Sequence, residues 1–174
     1  MIASLRPFDM QALQAALEEA RLARGLSWSE LAAEINRAFE GTPSIPISVS
    51  TLRGMRKKSS VTSAVVLQVL RWLGRTPESF LIGFSAGASE EEKLPEPGSG
   101  HVLRFDTRAM HEALDAERAR RGMKWKEVAN ELPGFSENML KNLATGPLIG
   151  FPRVMLILQW LEQPAVRFVR VHRR

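Results

Sequence analysis

Apolar residues recur along this chain at helical spacing, and capping residues mark where each run begins. Asp9 is a good N-cap, and Leu13, Ala16, Leu17 and Ala20 follow on one helical face until Gly25 ends the run. Ser27-Trp28-Ser29-Glu30 reads as a capping box, in which hydroxyl and carboxylate satisfy each other's backbone donors. It opens a second helix whose buried stripe is Trp28, Leu31, Ala32 and Ile35. Gly41, Thr42, Pro43, Ser44 and Pro46 break the pattern. Ser48 caps a short third helix anchored by Leu52 and Met55. Thr62 or Ser63 caps a fourth, with Val66, Val69, Leu70 and Leu73 inward and Gly74 closing it. Thr76-Pro77 starts a fifth that carries Phe80 and Leu81.

Residues 83–104 change character. Gly83, Gly87, Ser89, Glu90 to Glu92, Pro95, Pro97, Gly98 and Gly100 make a polar, breaker-rich linker. Beyond it the first pattern returns. Shifted by 97, residues 8–35 match 105–132 at 12 of 28 positions, among them Arg24/Arg121, Trp28/Trp125 and Glu34/Glu131. Shifted by 88, Ser48/Ser136, Leu52/Leu140, Val66/Val154, Trp72/Trp160 and Phe80/Phe168 also match. The difference of nine is a longer connection before the third helix of copy one. The predicted fold is all-α: two tandem five-helix bundles, 1–82 and 105–174, joined by the acidic linker 83–104.

Composition narrows the function classes. With 44% hydrophobic and 25% charged residues, the 174-residue chain has what a globular protein needs for cores. It has no cysteine, which removes disulfides and thiolate chemistry and fits a reducing, cytoplasmic setting. The stretch after Met1 is interrupted by Glu18 and Glu19, so neither a signal peptide nor a membrane span is expected. Charge is uneven: residues 1–82 carry 10 Lys/Arg against 7 Asp/Glu (+3), 83–100 carry 1 against 4 (−3), and 101–174 carry 13 against 8 (+5). Both flanks are therefore basic enough to attract a polyanion.

That charge gives the third helix of copy one its interest. Leu52 and Met55 hold one side down, leaving Ser50, Thr51, Arg53, Arg56, Lys57 and Lys58 for solvent or a ligand. The stretch alone fits two descriptions: a solvated basic face, or a helix that enters a DNA major groove.

At GLSWSELAAEI, SVSTLRGM and VVLQVLRWLGRTPESFL, copy one resembles the lambda-repressor-like (Cro-type) helix-turn-helix family. Copy two is similar to it at GMKWKEVANEL, FSENMLKNLATG and FPRVMLILQWL. The resemblance covers nearly all of the chain outside the linker. It implies that the third helix of each copy enters the major groove of double-stranded DNA. By position, Ser48, Val49, Ser50 and Gly54 are then base-facing in copy one, with Thr51 beside them, and Ser136, Glu137, Asn138 and Asn142 in copy two. Arg53, Arg56, Lys57 and Lys58, with Lys124, Lys126 and Lys141, become phosphate contacts. The copies would read different bases, since Asn pairs bidentately with adenine and Glu accepts from cytosine. Three features depart from the family pattern. Trp28 and Trp125 replace a phosphate-touching glutamine, and their spacing favours packing. The connection 36–47 is long, and Glu137 sets an anion where phosphates repel it.

The expected function is a sequence-specific, double-stranded DNA-binding regulator whose two unequal copies act as a pseudo-dimer. A flexible 22-residue linker spans about 26 Å, against roughly 34 Å between half-sites one turn apart. The rival is a protein-interaction module, of antitoxin or antiactivator type, or a homodimer partner. Copy two is its better candidate because of Glu137 and the apolar Leu148, Ile149, Phe151 and Phe168. No cofactor or metal is expected: only His101, His111 and His172 exist, and the His111/Asp115 pair has no further ligand to complete a shell. No nucleophile and base pair up in the sequence, and no enzymatic activity is expected.

Overall fold

The Asp9 carboxylate accepts from the Ala12 backbone N–H (3.0 Å) and opens α1, Met10–Ala23. Its counterpart Asp106 accepts from Ala109 N–H (2.9 Å) and opens α5, Thr107–Arg120. The computed structural model describes residues 5–58, 60–83, 93–145 and 150–173. In copy one, α2 (Trp28–Arg37) and α3 (Val49–Arg53) follow α1, then a 3-10 turn at Met55–Lys57, strand β1 (Val61–Thr62) and α4 (Ser63–Leu73). Copy two has strand β2 (Val102–Phe105) before α5, then α6 (Trp125–Glu131), α7 (Glu137–Lys141), β3 (Gly150–Phe151), α8 (Arg153–Leu161) and β4 (Val169–His172).

The Ser27/Glu30 capping box closes in both directions, at 3.1 and 3.0 Å. In copy two Lys124 has no acceptor, so only the reverse half remains, Lys124 N–H to Glu127 at 3.0 Å. Thr62 precedes α4 without a side-chain capping bond. The predicted fifth helix is in each copy a four-residue 3-10 turn, Pro77–Phe80 and Ala165–Phe168. Each turn receives the start of its own copy: Asp9 N–H donates to Phe80 O (2.8 Å), and Asp106 N–H to Phe168 O (2.7 Å).

The chain is mostly helical, and two small antiparallel sheets correct the all-α expectation. One, β2 with β4, lies within copy two and includes Val102 to Arg104 from the far end of the expected linker. The other joins the copies: β1 pairs with β3, Val61 opposite Phe151 and Thr62 opposite Gly150. Thr62 and Gly150 are equivalent under the shift of 88, so equivalent residues face each other across a local two-fold axis.

The copies share one core. Phe151, fully buried, packs against Phe8 of copy one (ring centroids 5.0 Å) and Phe105 of copy two (6.0 Å). Two reciprocal amide grips reinforce the joint. Gln68 on α4 donates to Leu103 O (2.8 Å) and accepts from Leu103 N–H (3.3 Å). Gln159 on α8 donates to Arg6 O (2.9 Å) and accepts from Arg6 N–H (2.7 Å). Arg6 and Leu103 are equivalent under the shift of 97, so each copy holds the segment that leads into the other's first helix. The expected free linker is therefore not what sets the spacing of the copies. Residues 84–92, with Gly87, Ser89 and Glu90 to Glu92, lie outside the described residues. From 93 onward the segment is docked: Leu94 is buried, and Arg71 on α4 donates to the carbonyls of Pro97, Gly98 and His101.

Helix ends show one asymmetry with a measurable consequence. α4 stops at Gly74, whose φ of 67° is left-handed, whereas α8 stops at its counterpart Glu162 with φ 56°. An L side chain in that region costs roughly 1 kcal/mol. Glu162→Gly is expected to recover about that much and raise the melting temperature by about 2–4 °C, measured by thermal unfolding followed by circular dichroism.

Candidate nucleic-acid interface

Ser48 forms the N-terminus of α3: its Oγ accepts from Thr51 N–H (3.1 Å) and lies 3.1 Å from Ser50 Oγ and 2.9 Å from Thr51 Oγ1. Leu52 and Met55 are fully buried, so the helix is pinned on one side as their spacing predicts. Ser50, Arg53, Arg56, Lys57 and Lys58 are exposed, Thr51 and Gly54 half-buried. Val49 is half-buried against the core, which leaves it the least free of the expected base-facing side chains. Among the described residues, no carboxylate pairs with Arg53, Arg56, Lys57 or Lys58. A Cβ at Gly54 would stand 3.0 Å from Ser50 O, so the tight exit from α3 favours glycine.

These cations are gathered rather than scattered. Ser50, Arg53, Gly54, Arg56 and Lys57 line one cleft of about 440 Å³ together with Trp28, Gln14 and Glu18. Trp28 is half-buried, with two guanidinium groups near its ring, Arg21 at 4.7 Å and Arg53 at 5.9 Å from the centroid. It serves as a packing wall and also borders the basic cleft. Gln14 carries no signal in the sequence, because a glutamine beside an apolar stripe reads as the stripe's edge. Here it is 3% exposed, and its Oε1 has no hydrogen-bond partner among the described residues.

The connection 36–47 does not leave α3 loose. The Asn36 side chain donates to Ile47 O (2.9 Å) and accepts from Ile47 N–H (2.8 Å), clasping both ends of the loop. A second brace fixes α2: Trp72 Nε1–H donates to Glu34 (2.8 Å), which also takes a two-bond contact from Arg24 (2.7 and 2.8 Å). The Arg24 guanidinium, and then the indole N–H, hold the Glu34 carboxyl below the usual carboxylate range. Copy two repeats the indole bond, Trp160 to Glu131 at 2.7 Å. There Arg121 lies over Trp160 (4.2 Å) and bonds Glu117 instead. With Arg120 and Arg121 both donating, Glu117 is held at about 2.

Copy two presents a different surface. Ser136 caps α7 by accepting from Met139 N–H (3.2 Å), and Asn138 and Asn142 are exposed. Glu137 and Lys141, assigned respectively to base and phosphate, pair with each other at 2.8 Å. Lys141 is the first cause of a lowered Glu137 pKa. The pair sets opposite charges side by side on an exposed face of α7, with the two side chains 46% and 42% exposed. Lys124 and Lys126 remain exposed at the start of α6. His111 stacks on Trp125 (5.5 Å, 19° between planes) and Asp115 pairs with Arg118 (2.6 Å), so this i, i+4 pair is engaged in packing and charge pairing. Among the described residues no three His, Asp or Glu side chains gather as a metal site, and no helix is long and apolar enough to cross a membrane. Leu148 and Ile149 lie outside the described residues, while Phe151 and Phe168 are buried. No protein-family model, curated protein or solved structure matches this chain.

Proposed function

We propose that the chain is a sequence-specific double-stranded DNA-binding regulator of lambda-repressor-like type, built from two unequal helix-turn-helix units, with copy one making the stronger contact. The observation that carries this reading is the pinned, hydroxyl-capped α3, with Arg53, Arg56 and Lys57 around one cleft and none of them in an ion pair with a carboxylate among the described residues. Short polar side chains at the leading turn suit base edges, and the cations behind them suit phosphates. In copy two, Asn138 and Asn142 offer base contacts while the Glu137/Lys141 pair reduces the pull on phosphate. The preferred site is therefore asymmetric.

Selection from a random duplex library at about 150 mM salt tests this reading. An enriched asymmetric sequence supports it; no enrichment overturns it and favours the protein-interaction alternative, for which the internally neutralised face of α7 is the relevant observation. On the selected duplex, replacing Arg56 and Lys57 together with Ala is expected to reduce the slope of log affinity against log salt by about 1.8 if each contacts one phosphate. An unchanged slope would remove both from the interface. Asn138→Ala is the companion variant, expected to relax preference at one position without abolishing binding.

A further inference from the structure

The nine extra residues of copy one build a feature that copy two lacks. They fall in the loop clasped by Asn36, and they hold apolar side chains outward: Ile45 is 87% exposed while Phe39 and Ile47 are buried at its base. This loop forms one wall of a cleft of about 570 Å³. Val65 of α4 and Val102 of β2 line it from the other side, so it lies at the joint between the copies. That volume is within the range of sites for small organic molecules, about 300–1,000 Å³.

The polar groups in the cleft are of unequal standing. Gln68 also lines it, but its amide is used on Ala64 O and on both backbone groups of Leu103. Among the described residues Arg104 is the one charged side chain that lines it; it donates to Ser44 Oγ across the cleft, and no carboxylate among those residues pairs with it. Its cross-strand neighbour on β4 is another cation, Arg170, which has Asp106 at 3.5 Å. Like charges directly opposite each other on a sheet repel, so the site gains from an anion at Arg104. A guanidinium presents two parallel donors, the geometry that a carboxylate accepts.

We infer that this cleft binds a small organic carboxylate with an apolar body, its carboxylate on Arg104 and its chain along the 39–47 loop. The inference does not rest on DNA binding, and its test does not use DNA. Decanoate titrated into the full chain near neutral pH is expected to bind saturably at one site, measured by calorimetry. Backbone amide shifts should concentrate at residues 39–51 and 102–104. Arg104→Met is expected to weaken decanoate about ten- to a hundredfold, the effect of one charged hydrogen-bonding partner, while leaving decanol affinity unchanged. Ile45→Asp, on the exposed lip where folding is insensitive, should weaken decanoate by setting a like charge at the entrance. Absence of saturable binding, shifts confined to other segments, or decanoate affinity unmoved by both variants would each overturn the inference.

Discussion

Phe151→Ala is expected to cost about 3–5 kcal/mol, the usual range for deleting a buried aromatic ring, and to lower the melting temperature by about 10 °C. The ring is fully buried and bridges the copies, touching Phe8 on one side and Phe105 on the other. Its removal opens a cavity at the joint, where neither copy can refill it alone. Because the core is continuous, the loss should be felt by both copies together. Trp28 and Trp72 report on copy one, Trp125 and Trp160 on copy two. Unfolding followed in single-copy tryptophan variants, with the other pair changed to Phe, should show both halves shifting to the same new midpoint. A shift confined to copy two would mean that the copies unfold independently and that the shared core contributes little to cooperativity.

The second large effect is expected from Gly150→Ala. A Cβ there would lie 2.6 Å from Val61 O and 2.5 Å from Ser60 Oγ, closer than real Cβ atoms approach. The serine can rotate, but the Val61 carbonyl belongs to the strand that pairs with β3. The strands must part or the backbone must shift, at a cost of about 1–3 kcal/mol. Hydrogen exchange separates this from a general loss of packing. Protection should fall first at residues 61–62 and 150–151, while α1 and α5 stay protected. Unchanged exchange at the strand pair, with no loss of midpoint, would show that the β1–β3 contact yields freely.

The same joint marks the limit of what periodicity reveals. Of the predicted stripe Val66, Val69, Leu70 and Leu73, the first three are buried and Leu73 is half-buried, yet Leu67 and Gln68 are buried as well. A helix packed on one side leaves those positions in water; α4 is covered on a second side by the strands of copy two. Its counterpart α8 likewise buries Met155 beside Val154, Ile157 and Leu158. The candidate interface divides in a similar way. Arg56, Lys57 and Lys58 were legible because a basic run next to an anchored helix is a local signal. Gln14 was not, since its burial depends on how α1 meets the turn after α3. The Glu137/Lys141 pairing is legible in the i, i+4 spacing alone, and it competes with separate base and phosphate contacts for the two residues.

Asp9, Ser27, Ser48, Asp106 and Ser136 show what the chain determined by itself. Each caps a helix through a backbone N–H three residues on, so the instruction lies within one turn. The same holds for the left-handed residues at Gly25 and Gly122, both with φ 65°. The relation between the copies belongs to the tertiary structure alone. Gln68 meets Leu103 across 35 residues, and Gln159 meets Arg6 across 153. No pattern within a helical turn encodes such partners. They are selected by the collective burial of one core, which brings Phe8, Phe105 and Phe151 together and aligns β1 with β3. Helix positions follow from local hydrogen bonding; the placement of α3, α7 and the Arg104 cleft follows from how two imperfect copies bury their apolar faces against each other.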